Sequence, residues 1–210
     1  MGLVPKSNGN MRSTSFFFRW IGFLLGVSIL LLCSCTKASR GGHLDSPVYL
    51  TDTQRIYLLP PSAMGTPVDG AQRIEATHNG ETSFFDAWVM ANDTILSVTL
   101  FGSMGATIAE VNYTNDSLFF SSRLMDTEKI KPQYIIADFQ LCFYKTEKVR
   151  QVIEASNLEF QETIQGDESR RVISSGGKKI ITIERNKNGI HLTNHLRGYE
   201  YRIYSETVGK

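Results

Sequence analysis

From Gln72 to the C-terminus, β-branched and aromatic residues recur in short alternating runs, each closed by turn-forming residues. The clearest turn pairs are Asn79-Gly80, Asn92-Asp93, Asn115-Asp116, Gly166-Asp167, Gly176-Gly177 and Asn188-Gly189. Asn-Gly between apolar runs is a strong hairpin signal, because both central residues of a type I′ turn need positive φ. The pattern predicts strands near 72–78, 82–91, 94–101, 106–113, 117–121, 158–165, 169–174, 179–185, 189–194 and 198–205, spaced for antiparallel hairpins in a meander. One stretch breaks this rhythm. Between Asp126 and Ala155 there is no hairpin turn, and Pro132 to Tyr144 is apolar at helical spacing, with Ile135, Phe139 and Cys142 on one face and Ile136 and Phe143 beside them. Pro132 fits the first turn of such a helix, where its missing N–H is not needed. A second helix near 147–155 carries Val149, Val152 and Ile153 on one face, with Thr146 as its expected N-cap. The reading is a mainly β, α+β domain: one curved antiparallel sheet with a helical insertion between its two halves. The inserted helices need a surface to cover, and the concave face of the sheet is the obvious one.

The N-terminal region has a different pattern. The apolar run Trp20 to Leu32 follows Arg12 and Arg19 and leads into Leu32-Cys33-Ser34-Cys35. A basic segment, an apolar segment, small residues and then a cysteine form a bacterial lipoprotein signal. The run is short of the ~20 residues that span a bilayer, and extending it to Phe16 meets Arg19. A plain secretory signal leaves the cysteine unexplained. The expected organisation is therefore a signal over 1–35 ending at a lipidated Cys35, a polar tether over 36–47, and a folded domain over 48–210. Translation could begin at Met1 or at Met11, since the first ten residues add nothing that a signal needs. Pro60-Pro61 and Gly65-Thr66-Pro67 predict an irregular segment ahead of the first long strand.

Charge and cysteine content narrow the function. Losing Lys6, Arg12 and Arg19 with the signal takes the formal net charge from +1 to about −2, so no basic excess points to nucleic acid. Roughly 175 residues remain, enough for a single domain with a sizeable core. With Cys33 removed and Cys35 acylated, Cys142 has no partner for a disulfide, and between Leu141 and Phe143 it reads as a small buried hydrophobe.

Catalytic signatures do not emerge. Gly102-Ser103-Met104-Gly105 is not a nucleophile elbow, because it departs from G-x-S-x-G and joins two strands. His191 and His195 are four apart in or beside a strand, which separates them by about 13 Å along one face. Gly176-Gly177-Lys178-Lys179 lacks the rest of a phosphate-binding loop. Asp138 on an apolar helix must be paired, capped or facing solvent. No enzyme, metal or cofactor is expected. What the chain offers instead is apolar surface facing a potential concavity. Phe85, Ala87 and Val89 alternate on one strand face with Phe84, Trp88 and Met90 on the other, and Leu96, Val98 and Leu100 alternate on the next strand. A filled core and an acyl-chain cavity both fit this pattern. For a cavity, the candidate lining is Phe85, Trp88, Leu96, Val98, Ile135, Phe139 and Phe143.

Several segments together resemble a known family. They are the cysteine motif, Tyr57-Leu58-Leu59-Pro60-Pro61, Leu100-Phe101-Gly102-Ser103-Met104-Gly105, Pro132 to Leu141 with its Ile136-Ala137-Asp138-Phe139-Gln140-Leu141 core, Ile190-His191-Leu192-Thr193-Asn194, and Gly198-Tyr199. The chain looks like the DUF3261 bacterial lipoproteins over roughly Val48 to Ser205. That family is similar to the lipoprotein carrier LolA and the outer-membrane receptor LolB, and is met in gene clusters for aryl polyenes and related membrane pigments. The resemblance implies a half-open antiparallel β-barrel of about ten or eleven strands with a helical lid inserted mid-sheet. It also implies a cavity for an acyl-bearing molecule, either a lipoprotein or an aryl-polyene-type lipid. In LolB an apolar residue followed by Gly projects from a strand-to-strand loop into the acceptor membrane. Met104-Gly105 occupies that place here, with Phe101 sharing or taking over the role. The implied protein is a monomer anchored to the outer membrane on the periplasmic side. It would receive cargo from a LolA-like carrier and bind no nucleic acid. The competing expectation is a non-catalytic assembly lipoprotein with a filled core.

Overall fold

The computed structural model describes residues 47–102, 104–123 and 131–205. The signal, Cys35 and all but the last residue of the tether lie outside them, as does Ser103. Two short strands, β1 (Val48–Tyr49) and β2 (Arg55–Ile56), pair with each other and bury Val48 and Ile56. One 3₁₀ turn at Pro61–Ala63 follows. The long strands are β3 (Val68–His78), β4 (Glu81–Ala91), β5 (Ile95–Phe101), β6 (Thr107–Thr114) and β7 (Leu118–Ser122). Helices α1 (Pro132–Phe143) and α2 (Thr146–Glu154) come next. The chain then returns as β8 (Glu159–Gln165), β9 (Glu168–Ser175), β10 (Lys178–Asn186), β11 (Gly189–Asn194) and β12 (Tyr199–Ser205).

These ten long strands form one antiparallel sheet in the order β7-β6-β5-β4-β3-β12-β11-β10-β9-β8. Each half is a meander built from consecutive hairpins, and β3 and β12 join the halves at the centre. Asn79 and Gly80 both take positive φ (53° and 80°), so the β3–β4 hairpin closes on the two-residue turn expected for Asn-Gly. The sheet is not closed into a barrel: β7 and β8 are its edges.

Laid flat, strands about 4.8 Å apart would put β7 and β11 about 29 Å from each other. Helix α1 packs against both, although a helix with its side chains is only about 10–12 Å across. The sheet therefore curls around α1, while α2 packs on β8. One hydrophobic core fills the inner face, from Val48 and Ile56 through Val89, Leu96, Val111 and Leu118 to Ile136, Ile153, Ile173 and Leu192.

Two local expectations need correction. The first long strand starts at Val68, not near Gln72, because the whole of Val68–Ala71 pairs with Trp88–Ala91. Thr146 is the first residue of α2 and caps nothing; the N-cap position is Lys145 and no side chain caps it. The Thr146 hydroxyl bonds instead to Glu162 and Arg171 on the sheet.

Candidate functional site: an apolar cavity with polar ends

Strand alternation places Ile74 and Ala76 of β3, Phe85 and Val89 of β4, Val98 and Leu100 of β5, and Tyr201 and Ile203 of β12 on the inner face. With Ile135, Phe139 and Cys142 of α1 above them, they enclose a cavity of about 340 Å³. Val111 of β6, Phe120 of β7 and Leu192 of β11 complete its walls. Burial in these surroundings pushes the Cys142 thiol up to about 12, so it stays a neutral, soft packing group.

Glu110 of β6 also borders the cavity, its carboxylate accepting from the Asn112 amide at 2.7 Å; beyond it, polar groups stand at two places on this surface. The first is the floor. Gln72 on β3 is 5% exposed and faces the cavity, and its amide makes no side-chain hydrogen bond among the described residues. Among the described residues the fully enclosed side-chain polar atom without a partner is the Tyr144 hydroxyl, an uncommon state for a buried group; the Gln72 amide meets the space of the cavity.

The second is the rim, at the end of the sheet holding the β11–β12 turn and the start of α1. There a second, more polar depression is lined by Lys131, Tyr134, Arg197 and Tyr199, and it shares Ile135, Asp138 and Tyr201 with the cavity. The Tyr199 hydroxyl donates to Asp138 Oδ2 at 2.8 Å. Burial raises the Asp138 pKa to about 7, although the Tyr199 hydrogen bond and the nearby Arg197 charge act to lower it. Tyr199 and Tyr201 are both held above the ordinary phenol range, first by burial and then by the neighbouring Asp138. Arg197 is fixed by a hydrogen bond to the Tyr49 carbonyl (2.6 Å) and by stacking on the Tyr134 ring at 4.8 Å. Among the described residues no group of His, Cys, Asp and Glu could hold a metal ion. His191 pairs with Glu200, and His195 with Thr182.

The far end of α1 is fastened differently. Arg171 on β9 donates to the Leu141 and Tyr144 carbonyls and pairs with Glu162 at 2.8 Å, and Arg185 on β10 donates to the Cys142 carbonyl. Two guanidinium groups thus occupy the C-terminal, electronegative end of the helix. Arg185 also lies over the Phe143 ring, which stacks on Phe139 with centroids 4.2 Å apart.

The candidate lining residues separate on this geometry. Phe85, Val98, Ile135 and Phe139 border the cavity. Leu96 shares their face but is wholly buried in the core beside it, and Phe143 lies between Phe139 and Arg185. Trp88 is a correction: it is 48% exposed on the outer face, where its indole N–H donates to Asp69. Strand alternation puts it opposite Ala87 and Val89, so it cannot line the inside. In the β5–β6 hairpin, Met104 is 94% exposed, while Phe101 is half-buried and paired with Asp86 and Thr107. This hairpin turns at the same end of the sheet as the polar rim, because β5 runs toward that end and β6 away from it.

Gln72, Tyr201, Arg171 and Arg185 were not singled out by sequence, and Tyr199 entered only within the Gly198-Tyr199 segment of the resemblance. For the first four the signal was strand parity: each shares its face with an inward aliphatic two residues away, Ile74, Ile203, Ile173 or Ile183.

A family model described as a protein of unknown function, DUF3261, matches residues 70–207. That span runs from Gly70, the third residue of β3, through all of β12 and includes every cavity wall named above. No curated protein matches the chain.

Proposed function

We propose, from the premise that this chain belongs to the DUF3261 family, that it is a lipid-anchored envelope protein which binds a hydrophobic, acyl-bearing molecule and helps pass it to the outer membrane. The observation that carries this reading is the 340 Å³ apolar cavity between the inner face of the sheet and α1. Cavities of this size fall within the range of small-ligand sites. At one heavy atom per ~30 Å³, about the share of a water molecule in the liquid, it has room for about eleven carbons. Burying them would release about 9 kcal/mol at ~0.8 per methylene, before ordering costs. That suits reversible holding.

On this reading the open sheet is a half-open barrel of the LolA and LolB kind and α1 is its lid. Cys35 supplies the membrane anchor, and a soluble LolA-like carrier supplies the cargo. Met104 would touch the receiving bilayer, since a flexible thioether side chain inserts at low steric cost. Delivery follows the difference in affinity between cavity and membrane and needs no covalent chemistry. The cavity favours this over a purely structural role with a filled core. The test is native mass spectrometry of the full chain, together with equilibrium dialysis against radiolabelled decanoic acid as the probe. A bound lipid, or saturable binding of the probe near one per chain, is expected. Absence of both would overturn the reading.

A further inference from the structure

The ends of the cavity describe its ligand more closely than its walls do. We infer that the site takes a single-chain carboxylic acid bearing a hydrogen-bonding group at its far end, with the carboxylate at the Lys131–Arg197 rim and the far end at the Gln72 amide; this rests on the cavity reading above. Three observations support it. First, room for about eleven heavy atoms admits one chain, whereas the three chains of an acylated lipoprotein would need several times that volume. Second, among the described residues lining the rim there are two cations, Lys131 and Arg197, and one carboxyl, Asp138, whose charged form is disfavoured by burial, so the local balance favours an anion. Arg197 is already held in place by Tyr49 and Tyr134, so little side-chain freedom is lost when a carboxylate meets it. Third, Gln72 is a buried polar side chain on a largely apolar floor and makes no side-chain hydrogen bond among the described residues. It lies four residues from Ala76 along β3, about 13 Å at ~3.3 Å per residue. Ala76 stands opposite Tyr201, which belongs to both cavity and rim. The amide is thus roughly one medium-length chain away from the cations. An alkane end placed there would leave the amide unsatisfied, whereas a hydroxyl or phenol would pair with it.

The experiment uses the full chain in neutral phosphatidylcholine nanodiscs, loaded with radiolabelled decanoic acid as the probe. Dodecanoic acid, 12-hydroxydodecanoic acid and methyl dodecanoate compete for the site. The hydroxy acid should displace the probe at about tenfold lower concentration than dodecanoic acid, and the methyl ester should be the weakest. Gln72→Leu should remove or reverse the preference for the hydroxy acid. Lys131→Gln with Arg197→Gln should erase the preference for acid over ester. Equal displacement by all three in the unaltered chain overturns the inference while the cavity reading stands. So does an unchanged preference in the Gln72→Leu chain, or displacement by a triacylated lipopeptide as good as by a single-chain acid. If the probe never binds, the reading beneath it falls instead.

Discussion

Asp138→Asn should make the protein more stable at pH 8 and change little near pH 4. The carboxyl has a pKa of about 7 in the folded chain, raised from 3.8 chiefly by burial. Between those values the native state holds a proton that the unfolded state has released, so stability falls as pH rises from about 4 to about 7 and then levels off. On that scale the loss between pH 5 and pH 8 is roughly 2–3 kcal/mol, and the full cost above pH 7 is on the order of 4 kcal/mol. Asparagine keeps an acceptor for the Tyr199 hydroxyl but has no charge to bury. The groups facing Asp138 do not blur the result. Cys142, Tyr199 and Tyr201 are all pushed toward higher pH and stay neutral across this window. Urea unfolding of both chains at pH 5, 6, 7 and 8 gives the difference directly, because every other titrating group is common to the two. The stability gap should widen by about 2 kcal/mol from pH 5 to pH 8. A gap that stays constant with pH would refute the claim that Asp138 is neutral in the folded cavity.

Met104→Asp should leave stability within ~0.5 kcal/mol and probe binding unchanged, since the side chain is 94% exposed, yet slow transfer of bound lipid to liposomes at least tenfold; an unaltered transfer rate removes the loop from the mechanism. Arg171→Met should cost about 3–5 kcal/mol, because it strands Glu162 in a mostly buried site and removes the donors to the α1 carbonyls. Thermal unfolding should register this as a drop on the order of 10 °C. Gly189→Ala should cost about 3 kcal/mol or more in the same assay. Its φ of +139° is foreign to side chains, and a Cβ there would collide with the Ile203 carbonyl.

The strands were legible because two local signals agreed along most of the chain: alternating hydrophobicity, and turn pairs such as Asn79-Gly80 that need positive φ. The start of β3 was less so. Asp69 and Gly70 look like loop residues, and only pairing with Met90 and Val89 makes them strand. Strands β1 and β2 are two residues each, too short for periodicity, and they exist because Val48 and Ile56 dock on the core. At the site, apolar residues such as Phe85, Val98 and Phe139 were readable from parity and helical spacing. The polar ones were passed over: Gln72, Arg171 and Arg185 occupy inward positions, where a polar residue looks like noise in the pattern until its partner, or the lack of one, is seen. Asp138 was readable as an acid that needed a partner, but that the partner is Tyr199, 61 residues away, is tertiary information.

Arg171 and Arg185 also set how the cavity can open. They hold the C-terminal end of α1 by main-chain carbonyls, while its other end meets the sheet through Tyr134, Asp138 and their rim partners. A rod clamped at one end moves as a lever. Over the 12 residues of α1, a tilt of ~10° about the arginine clamp displaces the far end by about 3 Å at ~1.5 Å of rise per residue. The arginine contacts themselves would scarcely change. Opening would then be graded along the helix, widest beside Ile135 and Asp138 and least at Cys142, so a chain would enter and leave by the rim, at the end of the sheet where Met104 projects.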